Sequence, residues 1–229
     1  MTSANQPPPN PDSGTAPDTA LAVPDRLPVE FIKSAPNIGA APPAEGLEIA
    51  FAGRSNAGKS SVLNRLTGNR RTARVSRTPG RTQLLNFFSV VSKGTTLGRV
   101  VDLPGYGFAK ANRASQAQWQ GAVNDYLSQR DCLGAAVLVM DIRHPLQPFD
   151  LELIEWAGAS HLPLRILLNK AVKLKRGGQQ KTLFSVRKEV SEHSLISVQT
   201  FSALQGQGQP ELLATLWHWL LQPGQTQSN

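Results

Sequence analysis

Apolar residues fall in short unbroken runs, separated by stretches of helical periodicity or by clusters of turn formers. Leu47-Glu48-Ile49-Ala50-Phe51-Ala52, Ala135 to Met140, Leu164 to Leu168 and Ile196 to Phe201 read as strands. Runs as continuous as the second and third suit a parallel sheet covered on both faces. Leu85 to Val91, then Lys93-Gly94, then Arg99 to Asp102 predicts a β-hairpin. Val29 to Ala35 predicts a short edge strand or docking segment, and Pro36 and the Pro42-Pro43 pair punctuate the path onward. Helices are expected over Ser61–Leu66, Ser115–Arg130, Leu151–Ala157, Leu183–Val190 and Leu212–Leu221. Strands alternating with helices imply an α/β fold, a three-layer α/β/α sandwich whose sheet is mostly parallel with an antiparallel edge hairpin.

The flanks break this pattern. Residues 1–26 are rich in Pro, Ser, Asn, Thr and Ala with no apolar period, so they are expected to be a disordered extension. Residues 223–229 form a polar tail of the same kind, leaving one domain over 27–222.

The chemistry gathers where predicted strands end. Gly53-Arg54-Ser55-Asn56-Ala57-Gly58-Lys59-Ser60 fits G-x-x-x-x-G-K-[ST], with a strand entering and a helix leaving. Gly53 and Gly58 let backbone N–H groups turn toward phosphate oxygens, Lys59 sets a cation against the β- and γ-phosphates, and Ser60 offers Mg2+ a hydroxyl. The helix N-terminus adds partial positive charge. The fold is therefore of the P-loop NTPase type. Asp102-Leu103-Pro104-Gly105 closes its strand with D-x-x-G, where the Asp can reach Mg2+ through water and the Gly N–H can sense the γ-phosphate. Thr82 is either the hydroxyl of a switch that closes over Mg2+ or an ordinary turn threonine. Asn169-Lys170-Ala171-Val172 reads as N/T-K-x-D without its final carboxylate. Thr200-Phe201-Ser202-Ala203 sits at the next strand end, where a Ser-Ala turn can give a backbone N–H to a base carbonyl.

Charge adds a candidate partner. Residues 1–50 carry a net of −4, so the remainder must carry +12 for the 229-residue chain to reach +8. That excess points to a polyanion beyond a single nucleotide, RNA first, or to a solvated basic surface. Arg70, Arg71, Arg74 and Arg77 flank Thr82, and Lys173, Lys175, Arg176 and Lys181 follow the base motif. They are candidate phosphate contacts. The single Cys132 excludes an internal disulfide and reads as a core filler. No apolar run is long enough to span a bilayer and no signal or transit peptide is evident, which leads to an expected cytoplasmic, non-membrane protein.

Taken together, the segments Gly53–Ser61, Ser76–Gln83, Asp102–Gly107, Met140–Leu146 and Thr200–Ser202 make the chain resemble the EngB (YihA/YsxC) family of ribosome-biogenesis GTPases, in the TrmE-Era-EngA-EngB superfamily. The similarity runs from about Val29 to about Leu221. Thr78-Pro79-Gly80-Arg81-Thr82-Gln83 is its most specific part. The resemblance implies GTP binding and hydrolysis with Mg2+ held by Ser60 and Thr82, and catalytic roles for Lys59, Thr82 and Gly105. It implies that the nucleotide touches the whole stretch Gly53, Arg54, Ser55, Asn56, Ala57, Gly58, Lys59 and Ser60, then Gly80, Arg81, Thr82, Gln83 and Leu84. Asp102, Leu103, Pro104 and Gly105 follow, with Asn169, Lys170, Ala171 and Val172 and finally Phe201, Ser202 and Ala203 around the base. It further implies K+ at Asn56, a monomer, and a role in late assembly of the large ribosomal subunit or its precursor through rRNA, linked to cell division and septation. Asp141, Arg143 and His144 match the family and are read as tying a strand end to its neighbours.

The chain departs from that family at Val172, where the pattern has Asp. A carboxylate there accepts from guanine N1–H and N2–H2 together. Its loss costs on the order of 2–4 kcal/mol, or roughly 30- to 1,000-fold in affinity. Weakened GTP binding with relaxed guanine preference is expected, and an RNA-binding factor with a decayed nucleotide site is the alternative. An ATPase of the same fold is a third reading, disfavoured by the 78–83 segment. Tyr106 follows Gly105, so no Ras-like Gln orients water, and intrinsic hydrolysis is expected to be slow.

Overall fold

The computed structural model describes residues 21–69, 84–106 and 113–222, with side chains from Gly121 onward in the last stretch. The chain runs β1 (Val29–Ala35), β2 (Glu48–Gly53), α1 (Lys59–Thr67), β3 (Leu85–Ser92), β4 (Thr95–Asp102), α2 (Arg113–Gln129), β5 (Leu133–Asp141) and α3 (Pro148–Ala159). It continues with β6 (Leu164–Asn169), α4 (Arg176–Glu189), β7 (Ile196–Thr200) and α5 (Gln209–Leu221). One seven-stranded sheet has the order β1-β3-β4-β2-β5-β6-β7. β1 pairs with β3 and β3 with β4 antiparallel, and the pairings from β4 through β2, β5, β6 and β7 are parallel.

Strand alternation sorts side chains into two cores. Ala50 and Ala52 of β2 and Leu138 and Met140 of β5 face Val123 and Tyr126 of α2, Leu153 and Ile154 of α3 and Leu183 and Val186 of α4. Ile49, Phe51, Val137 and Val139 face the other way, onto Val62, Leu63 and Leu66 of α1 and Leu212, Leu216 and Trp217 of α5. This is the expected three-layer sandwich.

Two expectations shift. Trp217 Nε1 donates to the carbonyl of Leu21 at 2.8 Å, Leu21 packs on the α1/α5 core, and Leu27 is buried there. The packed chain therefore starts before residue 27. A Trp N–H inside the layer needs an acceptor, and the Leu21 carbonyl supplies it. Helix α4 starts at Arg176, seven residues before the expected Leu183; its first two turns carry Gly177, Gly178 and Gln side chains in place of a full apolar face, so they give no helical period in the sequence.

At the amino ends of the strands, Glu48 is fully buried. Arg130 clamps it with Nε to Oε2 at 2.9 Å and Nη2 to Oε1 at 2.6 Å, while the Tyr126 hydroxyl donates to Oε2 at 2.9 Å. Arg130 also donates to the Pro42 carbonyl at 2.9 Å, tying the loop before β2 to the end of α2. Burial, with the Glu48 charge added to it, raises the Tyr126 phenol well above its usual value and pushes the neighbouring Cys132 thiol up to about 11. That thiol stays protonated near neutrality, as a filler should.

Candidate functional site

The site is built on the carboxyl ends of β2, β4, β5, β6 and β7, the edge where an open α/β sheet binds ligands. Gly53 ends β2 so close to β5 that a Cβ would lie 2.6 Å from the Val139 carbonyl oxygen. Gly58 sits at φ +98°, and a Cβ there would meet Asn169 Nδ2 at 2.4 Å. Both positions accept only glycine. Asn56 also takes a left-handed turn, at φ 67°. Helix α1 then opens at Lys59 with no side-chain cap and no carboxylate in its first turn, so its leading N–H groups and its dipole face the loop.

Lys59 and Asp102 are both buried and form an ion pair, the Lys59 ammonium donating to Asp102 Oδ1. The pairing joins the P-loop to the D-x-x-G segment. Backbone contacts repeat the connection: Ser55 N donates to the Tyr106 carbonyl at 2.7 Å, and Leu103 N to the Phe51 carbonyl at 3.0 Å. Gly105 packs beside Ser55, where a Cβ would make ordinary contact at 3.4 Å. The D-x-x-G segment thus lies beside β2 and the P-loop, with Gly105 next to Ser55.

Tyr106 turns away from it. Its ring packs on Phe149 with centroids 4.2 Å apart, and its hydroxyl donates to the buried Asp150 near the start of α3. Asp150 Oδ2 accepts from Gln147 N at 2.9 Å. Burial pushes Asp150 up to about 6, against the Gln147 N–H and the positive charge of Arg54, which pull it down.

On the base side, Asn169 braces two loops. Its Nδ2 donates to the Ala57 carbonyl at 2.9 Å, and its Oδ1 accepts from Ala203 N at 3.2 Å. The Ala203 N–H, expected to face a base carbonyl, is here directed at Asn169. Phe201 and Ser202 are buried behind it, and Phe201 N holds the Leu168 carbonyl at 2.9 Å. Lys170, in a left-handed conformation, reaches back to the Asn56 carbonyl at 2.5 Å and to Asp141 Oδ2 at 2.9 Å. Arg143 grips the same carboxylate, with Nε to Oδ1 at 3.0 Å and Nη2 to Oδ2 at 2.7 Å. Burial would raise Asp141, but the hydrogen bonds from Arg143 and Lys170 outweigh it and hold the carboxyl well below its usual range.

Asp141 thus ties a strand end to its neighbours, and it also fixes the base-motif lysine. β5 pairs Asp141 with Asn169 of β6, so a carboxylate at that register was the available signal. Ala171 is buried, and Val172 is half-buried in the turn that follows. A cleft of about 660 Å3 lies alongside the site, on the outer side of α1 between Arg26, Asn64, Arg65, Gly68 and Gln209, and touches the base loop only at Ala203 and Leu204. Of the sequence-derived site residues, Gly80, Arg81, Thr82 and Gln83 lie outside the described residues, and Leu84 is exposed at the start of β3.

A phosphate loop bonded to D-x-x-G on one side and to N-K-x-x on the other defines a P-loop GTPase. Sequence comparison agrees, since the family model described as 50S ribosome-binding GTPase matches residues 48–170. The probable GTP-binding protein EngB of Shewanella amazonensis is 50% identical over 195 residues, 83% of this chain and 88% of that protein. The EngB protein of Vibrio parahaemolyticus is 50% identical over 190 residues, 82% of this chain and 85% of its own. The chain belongs to the EngB family of GTP-binding proteins and is a GTPase. Among solved structures, a probable GTP-binding protein EngB superposes with a TM-score of 0.60 at 23% identity, covering 77% of this chain and all of that one. Era, in complex with MgGDPNP and a segment of 16S ribosomal RNA, gives 0.61 at 21% identity, covering 79% and 58%. Both show the shared fold. Among the described residues, no helix is long and apolar enough to cross a membrane.

Proposed function

We propose that the chain is a GTP-driven switch in late assembly of the bacterial large ribosomal subunit, and through that in normal division and septation, working as a cytoplasmic monomer. The observation that supports it most is the buried Lys59–Asp102 pair, which puts the P-loop cation and the D-x-x-G carboxylate at one point. When a triphosphate enters, Lys59 turns to the β- and γ-phosphate oxygens and Asp102 is released, so the Asp102–Gly105 segment responds to the last phosphate. The Ser60 hydroxyl and the Asp102 carboxylate beside Lys59 are hard oxygen donors, which fits Mg2+, and Thr82 would complete the set. Mg2+ bound there would neutralise charge on the phosphates. The exposed Asn56 amide oxygen is likewise a suitable K+ donor.

Hydrolysis is slow in the isolated chain because the Tyr106 phenol is bound to Asp150 and cannot orient water. Acceleration comes from an outside group, K+ or the ribosomal particle. The particle binds the GTP form through rRNA phosphates met by Lys173, Lys175, Arg176 and Lys181, and releases the GDP form. Large-subunit binding should be tight with a non-hydrolysable GTP analogue and weak with GDP, and Lys59→Ala should abolish turnover. Equal binding in both nucleotide states defeats the switch.

Val172 favours a second reading, an RNA-binding assembly factor with relaxed nucleotide specificity. No carboxylate stands at 172, and Asp141 at the neighbouring strand end is held by Lys170 and Arg143. Titration with GTP, ATP and XTP separates the two. Nanomolar, strictly guanine-selective binding rules out the second.

A further inference from the structure

We propose that the outer ridge of α4 is a docking surface for unpaired RNA, with Phe184 as the plate on which a base stacks. The inference rests on the ribosomal reading above and names the contact. Leu183 and Val186 face the core, which turns Gly177, Lys181, Phe184 and Lys188 outward in one row at helical spacing. Phe184 is 73% exposed in the middle of that row. A lysine lies one turn before it and another one turn after it, both exposed. The only carboxylate in the helix is Glu189, its last residue. Arg187 is committed elsewhere, donating to the Val198 carbonyl at 3.3 Å.

A lone exposed aromatic is ordinary. A flat aromatic between two cations, with no anion on its ridge, is what single-stranded nucleic acid binding uses: the ring takes a base and the lysines take flanking phosphates. The start of the helix agrees. Lys173, Lys175 and Arg176 are exposed around its N-terminus, and its first turn holds no acid. Cations there oppose the helix dipole, and a polyanion lying along the ridge offsets that cost. The ridge is also mechanically close to the nucleotide, because Gln179 donates to the Leu174 carbonyl at 3.1 Å and accepts from Gln207 Nε2 at 3.2 Å, joining α4 to the base loops.

Full-length protein is titrated with a fluorescein-labelled single-stranded oligoribonucleotide, with the same sequence as a duplex, and with large subunits before and after removal of their proteins. Phe184→Ala should weaken single-strand binding about ten-fold and Phe184→Trp should restore it, because stacking needs the ring and an unpaired base. Duplex binding and GTP turnover should be unchanged in Phe184→Ala. The Lys181→Ala/Lys188→Ala double variant should make the log–log salt dependence shallower by about 1.4. Full-strength single-strand binding by Phe184→Ala overturns the proposal. So does a Phe184→Ala loss seen with intact subunits but absent with their free RNA, which would make the ridge a seat for a ribosomal protein. Failure of the unaltered protein to bind subunits in any nucleotide state overturns the ribosomal reading instead, while the oligoribonucleotide arm still reports on the ridge.

Discussion

Lys170 is held at two points, the Asn56 carbonyl and Asp141, and the second depends on Arg143. A free lysine would sweep many rotamers, so this double hold sets the stem in place for a base to lie against. Asp141→Ala should therefore weaken GDP binding by about three- to ten-fold, with Asp141→Asn between it and the unaltered protein. The figure is kept small because the ammonium is part-exposed and its pairing is screened. Fluorescent-GDP titration reads it, and undiminished affinity in Asp141→Ala would show that the carboxylate does nothing for the nucleotide. The Asp141 carboxyl is depressed, so its contribution is present above the unfolded value and is lost only as pH falls through the lower folded one. Binding should consequently stay flat from about pH 8 to about pH 5 as far as this group is concerned. Val172→Asp should act in the other direction, raising GTP affinity roughly 30- to 1,000-fold and sharpening the choice of guanine over adenine. An unchanged GTP-to-ATP ratio in that variant would place base reading elsewhere.

Among elements, α3 and α2 are each fastened by one buried acid. Tyr106 reaches from the D-x-x-G segment to Asp150 of α3, a carboxyl pushed up to about 6 by burial. A carboxyl raised above its unfolded value lends stability that is complete below that value and is lost as pH climbs through about 6. The protein should lose up to about 3 kcal/mol from this group between about pH 4 and pH 7. Asp150→Asn keeps an acceptor and removes the charge, so urea unfolding should find it more stable than the parent near pH 8 and no better near pH 4. At the opposite end of the sheet, Arg130→Ala strands Glu48 without its bidentate partner and should cost on the order of 3–5 kcal/mol. The strands and the phosphate loop were legible because periodicity, glycine spacing and turn residues are local signals. The Glu48 and Asp150 fastenings were not, since their partners lie 82 and 44 residues away in sequence, respectively. The early start of α4 was missed for a different reason. Gly177 and Gly178 argue locally against a helix, and packing of Leu183 and Val186 on the sheet overrides them.

For the molecule as a whole, charge and sheet polarity work together. The nucleotide loops lie at one edge of the sheet, and the cations of the base turn and α4 continue outward from that edge. Residues 1–50 are net acidic at −4, so the +12 of the remainder falls on the part of the chain that carries the site. A partner made of phosphodiester meets this surface mainly through counterion release, which makes affinity fall linearly with salt on a log–log scale. With four phosphate contacts, from Lys173, Lys175, Arg176 and Lys181, binding to large-subunit RNA should drop roughly 100-fold between about 50 and 200 mM salt. GTP affinity should change far less over that interval, because Lys59 and the α1 N-terminus act in a sheltered loop where screening is weak. Filter binding of RNA and nucleotide titration across the same salt series measure both slopes. RNA binding indifferent to salt would mean that the basic surface is merely solvated, leaving the phosphate loop intact but without an rRNA contact at this edge.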